Sequence, residues 1–274
     1  YGCVHYPRIK CDGTQKTLGK GKRKDGLISK LVLYDSKSKN EFLIGKKLKV
    51  TRMLKNNPIV VVERACQIKA KNINKNIRGY KKCSHVLNRK KYKKYRKCKY
   101  FLFFSKYYKS ITAKDYIFDR DVFSISKILK YFYFCVYVSN ILKNFNIVHN
   151  DMHTNNIIRD KNGHFHLIDF GLALDIDKIY SGSIEKRALN YDYLKSLVMK
   201  LDNERIVVPI ENHILSHFIF EQRSISNNEL MNIVNNYYGV FEKKNWLLGV
   251  VDYESYKMEV YNHYRELFSE DIHI

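Results

Sequence analysis

No run of apolar residues in this 274-residue chain is long enough to cross a bilayer, which takes about 20. The best stretch, Ile128 to Leu142, is short and interrupted by Lys130, so it predicts a buried helix and no membrane contact. The six cysteines (Cys3, Cys11, Cys66, Cys83, Cys98, Cys135) form no Cys-x-x-Cys pair and no zinc spacing. Reduced thiols in a cytoplasmic protein are therefore the expectation, with Cys83-x-His85 and Cys98 a faint metal candidate. Gly19-Lys20-Gly21 lacks the Gly-Lys-Ser/Thr ending of a phosphate-binding loop and reads as a flexible turn. No internal repeat is present. Acidic residues are scarce, and none at all occurs between Lys69 and Lys99.

The resulting formal charge of +23 attracts acidic proteins, nucleic acid or anionic surfaces. Within 69–99, Arg89-Lys90-Lys91-Tyr92-Lys93-Lys94-Tyr95-Arg96-Lys97 interleaves aromatics with cations. That segment reads as a solvated insertion, a docking surface for acidic proteins, or a nucleic-acid site. Hydrophobic residues at 45% suffice for a core, and the length suits one large domain or two lobes sharing a cleft. The first residue is Tyr1, not Met, and it falls inside a motif. A missing N-terminal stretch is the expectation.

Periodicity and turn residues predict a strand around Val4, a polar loop to Gly26, and a strand over Leu27–Tyr34. A helix follows from Ser36 to about Val50, capped by Ser36 or Ser38. Short strands are predicted at Ile59–Val62 and Lys99–Phe104, the second leading into a connector at Ser105–Lys109. Phe123–Asn144 is helical, with Ile125, Ile128, Leu129, Phe132, Cys135, Val136, Ser139 and Leu142 near one face. Helices are also expected at Ala188–Leu201, Glu211–Glu221, Asn227–Tyr238 and Tyr253–Phe268.

The most informative stretch is Ile147-Val148-His149-Asn150-Asp151-Met152-His153-Thr154-Asn155-Asn156, followed by Ile168-Asp169-Phe170-Gly171. Phosphoryl transfer needs an Asp to orient the attacking hydroxyl, with an Asn and a second Asp to hold Mg²⁺ on the phosphates. Asp151, Asn156 and Asp169 supply these types in that order. Residues 157–168 look like two short strands joined by a turn, which would return Asp169 to the side of Asn156. Lys30 lies inside an apolar strand, where an ammonium needs an anionic partner. Glu41, the only Glu between Tyr1 and Pro58, is the best candidate for that partner.

On these motifs the chain resembles the protein-kinase superfamily over nearly its whole length. The nearest pattern is that of the serine/threonine kinase-like proteins of large eukaryotic DNA viruses. Tyr1-Gly2-Cys3-Val4-His5-Tyr6-Pro7 through Cys11, and Ile28-Ser29-Lys30-Leu31, stand where that group carries its opening motif and strand lysine. The resemblance implies an α+β, two-lobed fold. A small β-rich lobe with one helix spans 1–106, with the basic insertion at about 69–99. A larger, mainly helical lobe spans 107–274.

It further implies ATP and Mg²⁺ as cofactors, Asp151 and His153 as catalytic residues and Asn156 and Asp169 as metal ligands. Gly2, Val4, Lys30 and Glu41 would hold the nucleotide. Gly2 and Val4 would end a glycine-rich loop, His149 would scaffold the catalytic loop, Phe170 would pack between the lobes, and Asp192 would bond the catalytic-loop backbone. The implied activity is transfer of a γ-phosphate to a Ser or Thr hydroxyl of a protein, in host cytoplasm or in a virion. Two departures stand out. His153 replaces the usual Lys, as in aminoglycoside- and choline-kinase-like enzymes, and no Ala-Pro-Glu follows Gly171. A small-molecule kinase and a catalytically silent scaffold that binds polyanions are the rival readings.

Overall fold

The computed structural model describes residues 3–6, 8–13, 26–69, 72–73, 99–118, 124–181, 188–197, 210–221, 225–243 and 252–269. The glycine-lysine turn at 19–21 and nearly all of the basic segment lie outside these residues, as do Gly2, Cys83, His85 and Cys98. The chain divides into two compact units, Tyr1–Asp177 and Lys178–Ile274.

The first unit opens with a four-stranded antiparallel sheet in the order β1-β2-β4-β3, formed by Cys3–His5 (β1), Leu27–Leu33 (β2), Arg64–Lys69 (β3) and Lys99–Lys106 (β4). Strand β2 is central, and its Lys30 stands opposite Val4 on β1 and Phe103 on β4. Alternation sorts the faces of the pleat. Leu31, Tyr100, Leu102 and Phe104 enter one buried cluster with Ile9 and Ile68, while Val32 and Phe103 join Val62 in another. Strand β3 corrects the sequence reading, which placed a strand at Ile59–Val62. There only Ile59 forms a bridge, parallel to Leu167, although Ile59, Val61 and Val62 are all buried.

Cys11 and Cys66 are joined in a disulfide, and Cys3 is bridged as well. The expectation of reduced thiols throughout is therefore wrong for these three. The Cys11–Cys66 pairing joins residues 55 apart in sequence, a distance no spacing motif could signal. Closing so long a loop restricts the unfolded chain, which corresponds to about 4 kcal/mol in the chain-entropy model. Cys66→Ser should accordingly lower the melting temperature by several degrees, read by calorimetry. An unchanged melting temperature would show that the bridge does not form in solution.

Helix α1 (Ser36–Lys47) begins on a capping box. Asp35 accepts from the Ser38 N–H at 2.8 Å, and the Ser38 hydroxyl accepts from the Asp35 N–H at 3.0 Å. Asp35 is thus the cap, in place of Ser36 or Ser38, and α1 gives way to a 3₁₀ turn over Leu48–Met53. After β5 (Ser110–Thr112) and the short α2 (Ala113–Ile117) comes the long α3 (Ile125–Lys143). Its buried residues are Phe134, Val138 and Leu142. Of the face chosen from sequence, Leu142 is buried and Ile128 and Cys135 pack against the core, while Phe134 and Val138 were not foreseen. Ile125, Leu129, Phe132 and Val136 are all more than half exposed.

The chain then forms β6 (Ile147–Val148), the β7–β8 hairpin (Ile157–Asp160, Phe165–Leu167) and β9 (Leu174–Asp175), which pairs with β6. Asp160 closes the hairpin by accepting from the N–H groups of Asn162 and His164 at 2.9 Å each. Gly163 supplies the positive φ (89°) that the turn requires. The second unit carries the β10–β11 hairpin (Tyr180–Ser181, Ala188–Leu189) and helices α4 (Tyr191–Leu197), α5 (Ile210–Glu221), α6 (Asn227–Lys243) and α7 (Tyr253–Ser269). Ile210, Ile214, Leu230, Val234, Tyr238 and Tyr261 form its core. No helix among the described residues is long and apolar enough to cross a membrane.

Candidate phosphoryl-transfer site

Strand β2 and helix α1 bring Lys30 and Glu41 together. The Lys30 ammonium lies 3.0 and 3.1 Å from the two Glu41 oxygens and 2.8 Å from Asp169 Oδ1. Burial alone would depress the Lys30 pKa, but the two carboxylates outweigh it and raise it, so the group stays cationic. Burial raises the pKa of Glu41, opposed by Lys30. Asp169 also feels burial, yet Lys30 and the Gly171 N–H hold its pKa below the usual value.

A line of further contacts fixes α1 to the chain after Asp169. The Asn40 side chain donates to the Ala173 carbonyl at 2.6 Å, and Lys47 reaches Asp175 at 2.6 Å and Asp177 at 2.7 Å. Asn40, Glu41, Ile44, Lys47 and Leu48 recur at helical spacing, so one face of α1 makes all these contacts. Phe170 is buried in the same core as Ile44 and Leu48.

The hairpin performs the return that its sequence suggested. The Ile168 N–H donates to the Asn156 carbonyl at 2.9 Å, which sets Asp169 immediately beyond the residue paired with Asn156. Asp169 itself takes a left-handed backbone (φ 64°), as does Asn150 (φ 54°) just before Asp151. Such conformations cost little for Asn or Asp and recur where side chains must be aimed at a site.

Asp151 is held by its own loop. Asn156 Nδ2 donates to the Asp151 carbonyl at 2.9 Å and to Asp151 Oδ2 at 2.8 Å. His153 Nε2 lies 3.5 Å from Asp151 Oδ1. Burial raises the Asp151 pKa, against the opposing pull of His153 and Asn156. Lys37, on the first turn of α1, also acts electrostatically on Asp151. Lys30, Asp35, Lys37, Glu41, Asp151 and Asp169 line one cavity. Asp35 and Lys37 were not singled out in sequence, where Asp35 registered neither as cap nor as site residue.

His149 sits behind this loop with its ring edge-on to Phe170 at 4.8 Å. Its Nε2 donates to the Ile168 carbonyl at 3.1 Å, and burial lowers its pKa to about 4. The ring is buried there between the loop and Phe170, as the expectation of a scaffolding residue requires. An unfolded histidine takes up a proton near pH 6.5, and the folded one only near 4. Stability tied to this group is thus fully present above 6.5 and lost as pH falls toward 4, by roughly 3 kcal/mol at most. Denaturant titrations between pH 7 and 4 should show that slope, and His149→Phe should flatten it. An equal slope in the variant would contradict the assignment.

Val4 is exposed on β1 opposite Lys30 and does not line the cavity, nor does His153. Asp192 is exposed on the first turn of α4. The donor set suits Mg²⁺, a hard cation that prefers oxygen. Asp169 uses Oδ1 for both Lys30 and Gly171, so Oδ2 carries neither contact, and Asn156 bonds Asp151 through its NH₂, so its carbonyl oxygen takes no part in those bonds. No cluster of three or more His, Cys, Asp or Glu that could hold a metal ion occurs among the described residues.

Residues 105–206 match the ABC1 atypical kinase-like domain. The match contains Asp151, Asn156 and Asp169 and leaves Lys30 and Glu41 outside it. The stretch is therefore kinase-like, and phosphotransferase chemistry is the activity it suggests. The mixed helices and antiparallel sheets are compatible with that class. No curated protein matches the chain.

Proposed function

We propose that the protein is an ATP- and Mg²⁺-dependent phosphotransferase that moves the γ-phosphate to a serine or threonine hydroxyl of a protein substrate. The observation that carries this reading is the shared cavity in which Lys30, held by Glu41, faces Asp151 and Asp169. Lys30 would neutralise the α- and β-phosphates, as its permanent charge suits. Asp169 and Asn156 would hold Mg²⁺, which when bound offsets phosphate charge. Asp151 would orient the acceptor hydroxyl and take its proton, and a pKa raised by burial makes it a better acceptor near neutral pH.

The pinned α1 supports activity without a phosphorylation switch, because Asn40 and Lys47 tie it directly to Ala173, Asp175 and Asp177, and Glu41 reaches Asp169 through Lys30. The resemblance to the kinase-like proteins of large DNA viruses supports a protein acceptor, in host cytoplasm or a virion. Acidic proteins or nucleic acid are the partners that the charge of 69–99 favours. His153 beside Asp151 favours a second reading, a small-molecule kinase. Incubation with γ-labelled ATP and a mixture of acidic proteins, basic proteins and small alcohols separates the two. Label on protein Ser or Thr supports the first, and label only on an alcohol supports the second.

A further inference from the structure

One cavity lies away from the residues of the candidate phosphoryl-transfer site. It measures about 730 Å³ and is bounded by α3, the turn at 55–58 and the β7–β8 turn. Its volume falls in the range of clefts that bind ligands. Leu129, Tyr133 and Tyr137 recur at i, i+4 and i+8 along α3 and form one wall, with Phe165 across from them. Leu129 is 63% exposed and Tyr133 76%, so a row of apolar side chains on one helix stands open to water. Such patches mark contact surfaces more often than chance exposure does.

Charge indicates what fits. Lys55 and Lys130 line the same cavity, no lining residue is acidic, and α3 contains no Asp or Glu anywhere along its length. An occupant must then be apolar where it enters and anionic at its edges. A lipid surface would meet that charge, but it is flat, whereas this site is a concavity between two turns and a helix. We propose that the groove docks an acidic, amphipathic segment of a partner protein, with apolar side chains one helical turn apart entering between α3 and Phe165 and acidic side chains meeting Lys55 and Lys130. This is a binding surface distinct from the phosphoryl-transfer site, and it stands whether or not the chain transfers phosphate.

The test uses the full chain and a fluorescent synthetic helix with leucines at i, i+4 and i+8 on a glutamate-rich background. A second peptide of equal charge carries serine in place of leucine, and vesicles of phosphatidylserine and phosphatidylcholine form a third arm. Because the whole chain is cationic, the quantity read is the ratio of the two peptide affinities. Each leucine withdrawn from water should contribute about tenfold to that ratio. The double variant Leu129→Ser/Tyr133→Ser should abolish the ratio and leave the serine peptide unaffected. Lys55→Glu/Lys130→Glu should weaken the leucine peptide more than Lys90→Gln/Lys91→Gln does, with ATP hydrolysis unchanged in both. A ratio near one in the wild type, or a ratio kept in the double variant, overturns the proposal. Vesicle binding that the double variant loses, without a peptide ratio, overturns it in favour of a membrane.

Discussion

Asp169→Ala is expected to abolish Mg²⁺-dependent ATP turnover, with a loss on the order of 10³-fold or more, because the ion's charge stabilisation is worth several kcal/mol. The side chain is engaged twice in the structure, by Lys30 at 2.8 Å and by the Gly171 N–H at 3.4 Å. Removing it leaves Lys30 paired with Glu41, so the buried ammonium keeps a counter-charge and the fold should survive. The signature is specific. Mg²⁺ should no longer strengthen nucleotide binding, while metal-free binding changes little. Melting temperature checks the fold, and titration calorimetry with and without Mg²⁺ checks the metal. A variant that retained metal-dependent turnover would remove Asp169 from the site.

Asp151→Asn should lower the transfer rate by about 10²- to 10⁴-fold, the usual contribution of a positioned general base. Nucleotide affinity should hardly move, because Asp151 bonds its own loop and does not contact Lys30 in the structure. The substitution keeps the shape, and the new amide can still accept from Asn156. The loss would therefore fall on kcat and not on nucleotide binding. In the wild type, turnover should decline as pH falls through the raised Asp151 pKa, since the protonated acid cannot accept the hydroxyl proton. That acid limb should be absent from whatever activity the Asn variant retains. An unaltered pH profile would assign the base elsewhere.

How much of this could be read from sequence depends on whether the cause was local. The β7–β8 hairpin was legible because Asn162-Gly163 and an Asp two residues earlier specify a turn by themselves. Lys30 and Glu41 were legible because a lysine in an apolar strand demands an anion, and only one glutamate was near enough in sequence. Helix α3 was found with Leu142 on its buried face, but Phe134 and Val138 were not placed there. A helix apolar on nearly every side has no periodicity to choose a face, and Phe134, Val138 and Leu142 are buried because Ile147, Ile157 and Leu167 lie against them.

Strand β3 was missed for the opposite reason. Arg64, Gln67 and Lys69 make it polar, and it is a strand because β4 pairs with it along its whole length. The Cys11–Cys66 bridge and the Lys47 contacts with Asp175 and Asp177 join residues 55 or more apart, so nothing short of the folded chain reveals them. Lys37 escaped notice among many lysines until the capped start of α1 set it in the cavity with Asp151.

The most direct test of the catalytic assignment is a single-turnover time course of γ-labelled ATP with wild type and Asp151→Asn at saturating nucleotide, with and without Mg²⁺. The account predicts metal-dependent label transfer by the wild type, slowed at least a hundredfold in the variant at equal nucleotide occupancy. Transfer at the same rate by both proteins, or wild-type transfer indifferent to Mg²⁺, would contradict it.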